Sequence, residues 1–461
     1  MTTAPRITIV GGGSTHWTPR LLVDFANTPS LADAQVVLHD IDADALPPML
    51  EVGAHVIKSR GLAMTVRATS HLDDALNGTQ YVISAFSVGG FESMRHDLEI
   101  PVRYGVRQPV GDSVGPGGIM RALRSIPVLL SIARAMERRC PEAWLLNVSN
   151  PLTALCRAVT MDTAIRTVGL CNETVGGQFV LSLLLDAHLR GIDPVVAGVN
   201  HLPLMVDLRL DGEDGFARLR EQLDRLDEVG DEPLWMDPPA AMHWHRTEPG
   251  AHWRKRDVVA NSRLRFELFR RFGVLPGSAD THVAEFLPTF VTSESDWGRE
   301  WGVHHYGLQG HREDKAEDDA HVVALLESRD ITPWPSGELV GPLLDGLVGG
   351  AARSLVVNLP NTGQVIGLPN DAVVECSAIV DAHGVRPRDE VAIPSVLGEL
   401  VRRVVASQEL TVEAARTGSR ASVLEAMLAD PTAGALPYER VVAMTDELLA
   451  ATVPWLPQFA S

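Results

Sequence analysis

Two groups of residues in this 461-residue chain have types and spacing suited to chemistry. The first is Gly11-Gly12-Gly13-Ser14-Thr15, directly after the β-branched run Ile7-Thr8-Ile9-Val10. A glycine turn between a strand and a helix lets backbone N–H groups reach a pyrophosphate with no Cβ in the way. Gly11 and Gly13 occupy the first two glycine positions of G-x-G-x-x-G, and His16 stands at the third, so the fingerprint is incomplete. Its surroundings support it. Leu21, Leu22 and Phe25 follow at helical spacing, and a second strand, Val36-Val37-Leu38-His39-Asp40, ends in an acid where a ribose-binding carboxylate is expected. That acid favours NAD over NADP, with Asp42 as the alternative ribose ligand. A plain glycine turn in another kind of α/β protein is the competing reading.

The second group is Cys171-Asn172-Glu173 with Asn200-His201. Thiolate and imidazole are good ligands for divalent transition metals, and two strand ends can bring them into one cleft although they lie thirty residues apart. The run Val168-Gly169-Leu170 delivers Cys171 to the carboxyl end of a strand, the edge that faces ligands in open α/β sheets. Spacing alone equally allows a buried core thiol and an ordinary polar histidine.

The elements that must position these residues alternate in βαβ rhythm. A helix over residues 46–59, a strand near 64–68, a strand over 81–85, a helix over 118–139 and a strand over 143–147 follow one another. Ser149-Asn150-Pro151 then makes a turn into a helix over 152–159. Beyond about residue 195 the pattern changes to a period-two strand over 205–210, a Trp-, Pro- and His-rich stretch over 231–249, strands over 354–358 and 373–380, and a helical end over 395–428. The expected architecture is α/β: a Rossmann-like dinucleotide-binding domain (lactate/malate dehydrogenase-like) over 1–197, and a mixed α+β substrate, metal-binding and oligomerisation domain over 198–461.

Composition narrows the partners. A net charge of −19 disfavours nucleic acid and anionic membranes, and the run Arg254-Lys255-Arg256 is too short to reverse that. Four scattered cysteines show no C-x-x-C spacing, so reduced thiols are expected. With no signal-like start and no stretch of about 20 apolar residues, a cytoplasmic location is expected.

Read together, Gly11 to Thr15, Gly111-Asp112-Ser113-Val114-Gly115-Pro116-Gly117-Gly118, Asn150-Pro151, Gly169 to Glu173 and Gly198-Val199-Asn200-His201 make the chain resemble glycoside hydrolase family 4. The run Phe266 to Phe290, with Asp280-Thr281-His282-Val283-Ala284-Glu285-Phe286, is most similar to the α-galacturonidase and α-glucuronidase branch. The resemblance implies a glycosidase that uses NAD and a divalent metal, usually Mn. The sugar's C3 hydroxyl is oxidised, a base removes the acidified C2 proton, the C1 leaving group is eliminated, water adds at C1, and hydride returns to C3. This departs from the usual pair of flanking carboxylates. The resemblance further implies Cys171 and His201 as metal ligands, Gly11, Gly12, Gly13, Ser14, Thr15 and Asp40 around NAD, Asn150 on the sugar, a glycoside as small-molecule partner, and homodimers or homotetramers.

Some members use a tyrosine base after the metal histidine, but none of Tyr81, Tyr104, Tyr306 and Tyr438 lies between residues 201 and 290. In the branch matched here that stretch carries an aspartate, making Asp280 the expected base; capping a turn or helix is its other reading. His282 is expected near the substrate. Family members acting on α-glucosides often carry Asp or His just after the metal cysteine, where this chain has Asn172, which orients a hydroxyl but donates no acidic proton. Glu173, Asp112 or water would then protonate the leaving group. For a uronide carboxylate, Arg95, Arg263, Arg265 and His282 are the candidates. A neutral or phosphorylated sugar remains an alternative substrate. A malate- or lactate-like dehydrogenase is the rival from another class; it needs no metal and releases NADH.

Overall fold

The computed structural model describes residues 4–225, 233–234, 253–328 and 336–459. The strands β1 (Arg6–Val10), β2 (Gln35–His39), β3 (Thr65–Thr69), β4 (Tyr81–Ser84), β5 (Trp144–Asn147) and β6 (Arg166–Gly169) pair in parallel in the order 3-2-1-4-5-6. This is the doubly wound dinucleotide-binding order, with its ligand crevice outside the carboxyl ends where the winding reverses between β1 and β4.

Period two divides each strand between two cores. Ile7, Ile9, Ile83 and Leu146 pack under α1 (Trp17–Ala26) and α2 (Leu46–Arg60). The opposite face, with Val82 and Leu145, lies among α3 (Leu72–Leu76), α4 (Gly90–Tyr104), α5 (Gly115–Arg139) and α6 (Leu152–Asp162). Helix α7 (Glu173–Leu185) leaves the carboxyl edge just after β6.

The strands β7 (Ile192–Val199) and β8 (Leu202–Leu210) form a hairpin whose two-residue turn is Asn200-His201, and β7 runs across residue 197. After β9 (Glu213–Asp214) and α8 (Gly215–Leu223) come the paired β10 (Pro233–Leu234) and β11 (Trp253–Arg254), then α9 (Lys255–Ala260), α10 (Arg263–Phe272), β12 (Leu275–Pro276) on the free edge of β8, and α11 (Asp280–Phe286). Apart from β10, the expected stretch 231–249 lies outside the described residues. Helices α12 (Gly307–Ser328) and α13 (Val340–Leu347) return to the dinucleotide half, against α2 and α1.

Strand β13 (Arg353–Pro360) inserts antiparallel beside β6, and β15 (Val373–Asp381) joins it to β7. The short β14 (Val365–Ile366) pairs with β17 (Val391–Ala392), and β16 (Gly384–Pro387) folds back on β15. One thirteen-stranded sheet therefore runs through both halves. One register row crosses it: Val10, Ser84, Asn147, Gly169, Asn358, Glu375 and Gly198 stand opposite one another in turn. Through that row the hairpin turn at Asn200-His201 comes down to the carboxyl edge of the parallel strands. The expected helical end over 395–428 is two helices, α14 (Ser395–Thr417) and α15 (Arg420–Ala429); a further helix, α16 (Tyr438–Thr452), follows it, and all three pack back on α5 and α4. Gly418, at φ 69°, breaks the first from the second. Among the described residues no helix is long and apolar enough to cross a membrane.

Candidate active site

At the crevice, Gly11 adopts φ 91°, and a Cβ there would sit 2.1 Å from Ala85 O. The turn is pulled onto β2 by Gly11 N–H and Gly12 N–H, which donate to His39 O at 2.9 and 2.8 Å. A Cβ at Gly13 would meet the Asp40 carboxylate, which instead accepts from Gly13 N–H at 2.9 Å. Along Gly11 to Gly13, directly after β1, the turn thus presents only main chain, the arrangement that suits a dinucleotide. Asp40 faces the turn, whereas Asp42 accepts from Asp44 N–H in a local cap. Ser14 Oγ accepts from Trp17 N–H, the first amide of α1, and Thr15 Oγ1 donates to Asp319 on α12 at 2.7 Å. The missing third glycine is explained locally: His16 bonds Asp318 at 2.7 Å and stands edge-on to Trp17.

A polar pocket forms at the same edge. The ligand atoms of Asp112, His201 and His282 lie within 4.8 Å of one another. His201 occupies the hairpin turn at φ 67°, a conformation costly for a residue with a Cβ and one that recurs at functional sites. Ser113 Oγ donates to Asp112 Oδ1 at 2.9 Å and so accepts from His201 Nδ1–H, also at 2.9 Å, which leaves the Nε2 lone pair as the metal-binding one. Burial, with the nearby His282, lowers His201 to about 4, the neutral form a metal requires. Burial works against the Asp112 carboxylate, but His201, Arg121 and His282 outweigh it and hold it below the usual range. Asn150 Nδ2 donates to Asp112 Oδ2 at 2.8 Å, and Arg121 Nε donates to Asn150 O at 3.1 Å.

The His282 ring centre is 4.0 Å from that of His201, and its Nε2 lies 3.8 Å from Glu173 Oε1. Its Nδ1 is buried without a hydrogen-bond partner among the described residues. His201 and the Asp112 carboxylate are donors that fit a divalent cation, and the orphaned His282 nitrogen beside them marks a place for a bound substrate.

Cys171 is not in that close trio. Its thiol packs against Leu152, Cys156 and Val373 beside Asn200, and burial together with Glu375 and Glu173 raises it well above an ordinary thiol. Asn172 turns away, donating from Nδ2 to Glu338 Oε1 at 2.7 Å; burial pushes the Glu338 carboxyl up to about 8.

Asp280 is committed elsewhere. It is 2% exposed, and its oxygens accept from Leu264 N–H at 2.8 Å, Arg265 N–H at 3.1 Å and Arg265 Nε at 3.3 Å. It caps α10 and neutralises a buried arginine. The expected carboxylate readers are similarly occupied. Arg95 pairs with Glu92 and Glu99 on the surface, Arg263 donates to Glu300 O, and Arg265 is buried on Asp280. The cation whose field reaches Asp112 is Arg121, which the sequence reading passed over. Its signal was present: Arg121 and Arg124 lie three apart within the otherwise buried run Gly115 to Ile126.

A Rossmann-type sheet with an imidazole–carboxylate pocket at its carboxyl edge defines an enzyme built on a dehydrogenase frame. The chain belongs to glycosyl hydrolase family 4, whose first domain matches residues 6–186 and whose C-terminal domain matches 196–433. It is 30% identical to an alpha-galactosidase of Bacillus subtilis (strain 168), over 98% of this chain and 99% of the relative. It is also 30% identical to an alpha-galacturonidase of Thermoanaerobacterium saccharolyticum, over 92% and 91%. The crystal structure of lplD from Bacillus subtilis matches with TM-score 0.85 and 28% identity, over 96% of this chain and 99% of that one. A 6-phospho-alpha-glucosidase from gut microorganisms, in complex with NAD and Mn2+, shares the fold at TM-score 0.79 and 20% identity, over 99% and 100%.

Proposed function

We propose that this family 4 enzyme is an NAD- and divalent-metal-dependent glycosidase acting on α-galacturonides. The observation that carries the reading is the approach of Asp112, His201 and His282 to within 4.8 Å, at the sheet edge that also holds the glycine turn. Relatives named for α-galacturonides and α-galactosides support an α-galacto-configured substrate, and the run Asp280 to Phe286 favours the uronide.

When bound, NAD+ supplies a reversible hydride acceptor and a divalent metal supplies Lewis acidity toward sugar oxygens. On the protein side, Gly11 to Thr15 and Asp40 would hold the dinucleotide, and His201 Nε2 with Cys171 would hold the metal, with Asp112 beside His201. Asn150 and Arg121 orient sugar oxygens around Asp112. His282, steered by Glu173, takes the C2 proton in place of Asp280, whose oxygens are filled by α10. Removal of a proton by an imidazole positioned in this way is general-base chemistry. Asn172, held on Glu338, takes no part in protonating the leaving group.

The test is aryl release from p-nitrophenyl α-D-galacturonide and α-D-galactoside, with Mn2+ and NAD+ each added or withheld. Galacturonide cleavage that needs both additives is expected. Faster galactoside cleavage would move the substrate to the neutral sugar, and net NADH accumulation without aryl release would remove the glycosidase reading.

A further inference from the structure

Behind the pocket, the register row across the sheet contains polar groups that the roles above do not use. Its first part is satisfied: Ser84 Oγ donates to Asn147 Oδ1 at 2.8 Å, and Asn147 Nδ2 donates to Ser149 O at 2.9 Å. Its second part is not. Both side-chain polar atoms of Asn358, both of Asn200 and both carboxylate oxygens of Glu375 are buried without a hydrogen-bond partner among the described residues. These three residues are 1%, 2% and 0% exposed.

Asn358 and Glu375 are direct cross-strand partners on β13 and β15, so their side chains share one face. The row is closed on both sides by glycines that offer no partner. A Cβ on Gly169 would lie 2.3 Å from Leu152 Cδ2, and one on Gly198 would lie 2.1 Å from Leu202 O. Cys171 packs against Val373, two residues before Glu375 and on the same face of β15; the charge of Glu375 acts on its thiol, and Glu173 and the Asn200 amide act on Glu375 in turn. Asn200 immediately precedes His201, and its own N–H donates to Thr153 Oγ1 at 3.3 Å, on the first turn of α6. Buried polar groups left without partners are costly, and a sheet interior keeps them where they serve a site or hold internal water.

We propose that Glu375 is a positioning residue for Cys171: with Asn358 and Asn200, and through internal water, it fixes the direction in which the thiol sulfur points. The group ties both candidate metal ligands to one polar row, Cys171 through its sulfur and His201 through its neighbour in the hairpin turn. Outer groups that orient metal ligands commonly change metal affinity about 10- to 100-fold when removed. The proposal rests on the reading of Cys171 as a metal ligand.

The experiment is titration of the full-length, NAD+-loaded protein with Co2+, following the near-ultraviolet sulfur-to-cobalt charge-transfer band, for the wild type, C171S, E375Q, E375D and N358S. Loss of the band in C171S is expected. E375Q, of unchanged shape, is expected to weaken Co2+ binding about 10-fold or more and to shift the band, with NAD+ affinity unchanged; E375D should restore part of the loss. If E375Q does not fold, N358S carries the same test, with a smaller change in the same direction. A wild-type band and affinity in E375Q, or in N358S where that variant stands in, overturns the positioning role while leaving Cys171 a ligand. A band that persists in C171S overturns the ligand reading and the positioning role with it.

Discussion

Ser113 Oγ stands 2.9 Å from His201 Nδ1 and 2.9 Å from Asp112 Oδ1, so one hydroxyl, 88 residues from the histidine, fixes both its tautomer and its ring. The substitution S113A removes this link with little change of volume. Metal affinity should fall about 10-fold or more while stability changes by about 1 kcal/mol. Mn2+ titration followed by electron paramagnetic resonance measures the first and thermal melting the second. Unchanged affinity would mean that the ring needs no such support.

Asp280 holds α10 and the buried Arg265 guanidinium, so D280N should act on stability before catalysis. Breaking a buried pair by removing one partner costs about 3–5 kcal/mol, a large drop in melting temperature. Activity per folded molecule should fall less than about 10-fold, short of the roughly 100-fold or more expected for loss of a general base. A wild-type melting temperature with activity lost would return Asp280 to the role of base.

His282 carries the opposite expectation. H282Q should melt like the wild type and bind Co2+ with similar affinity, yet lose C2 proton exchange by about 100-fold or more. Metal affinity falling in step with exchange would make His282 a ligand.

Glu285 accepts from Val110 N–H and Gly111 N–H at 2.9 and 2.6 Å, behind the Asp112 loop, and burial, with the nearby Asp112, pushes it up to about 8. Its Oε2 has no partner among the described residues. A folded value above the ordinary 4.5 means that the native state binds more protons than the unfolded chain, so stability falls as pH rises from about 4.5 to about 8. E285Q removes that dependence. Its melting temperature relative to the wild type should rise steadily between pH 5 and pH 8; a constant difference would show that Glu285 is ionised throughout.

The dinucleotide half was legible because its signals are local: β-branched runs, a glycine turn, and Asp40 at the end of the next strand. The order of β13 and β15 between β6 and β7 was not, because it depends on pairings such as Asn358 with Gly169, far apart in sequence. The same holds for the site. Cys171, His201, Asp112 and Asn150 stood out through motifs that resemble a family, whereas the cap that Asp280 makes depends on amides 15 and 16 residues earlier in a different helix. Arg121 was hidden in an apolar helix, where its charge was itself the clue. The last helix, Tyr438–Thr452, was missed altogether.

The most direct test of the central claim is the fate of hydrogen at C2. The enzyme is supplied with p-nitrophenyl α-D-galacturonide, NAD+ and Mn2+ in D2O, and the released sugar is examined by NMR. Oxidation followed by elimination predicts deuterium at C2 of the product and no turnover when either NAD+ or Mn2+ is withheld. Product that retains its C2 hydrogen, or cleavage that continues without the dinucleotide, would contradict the account.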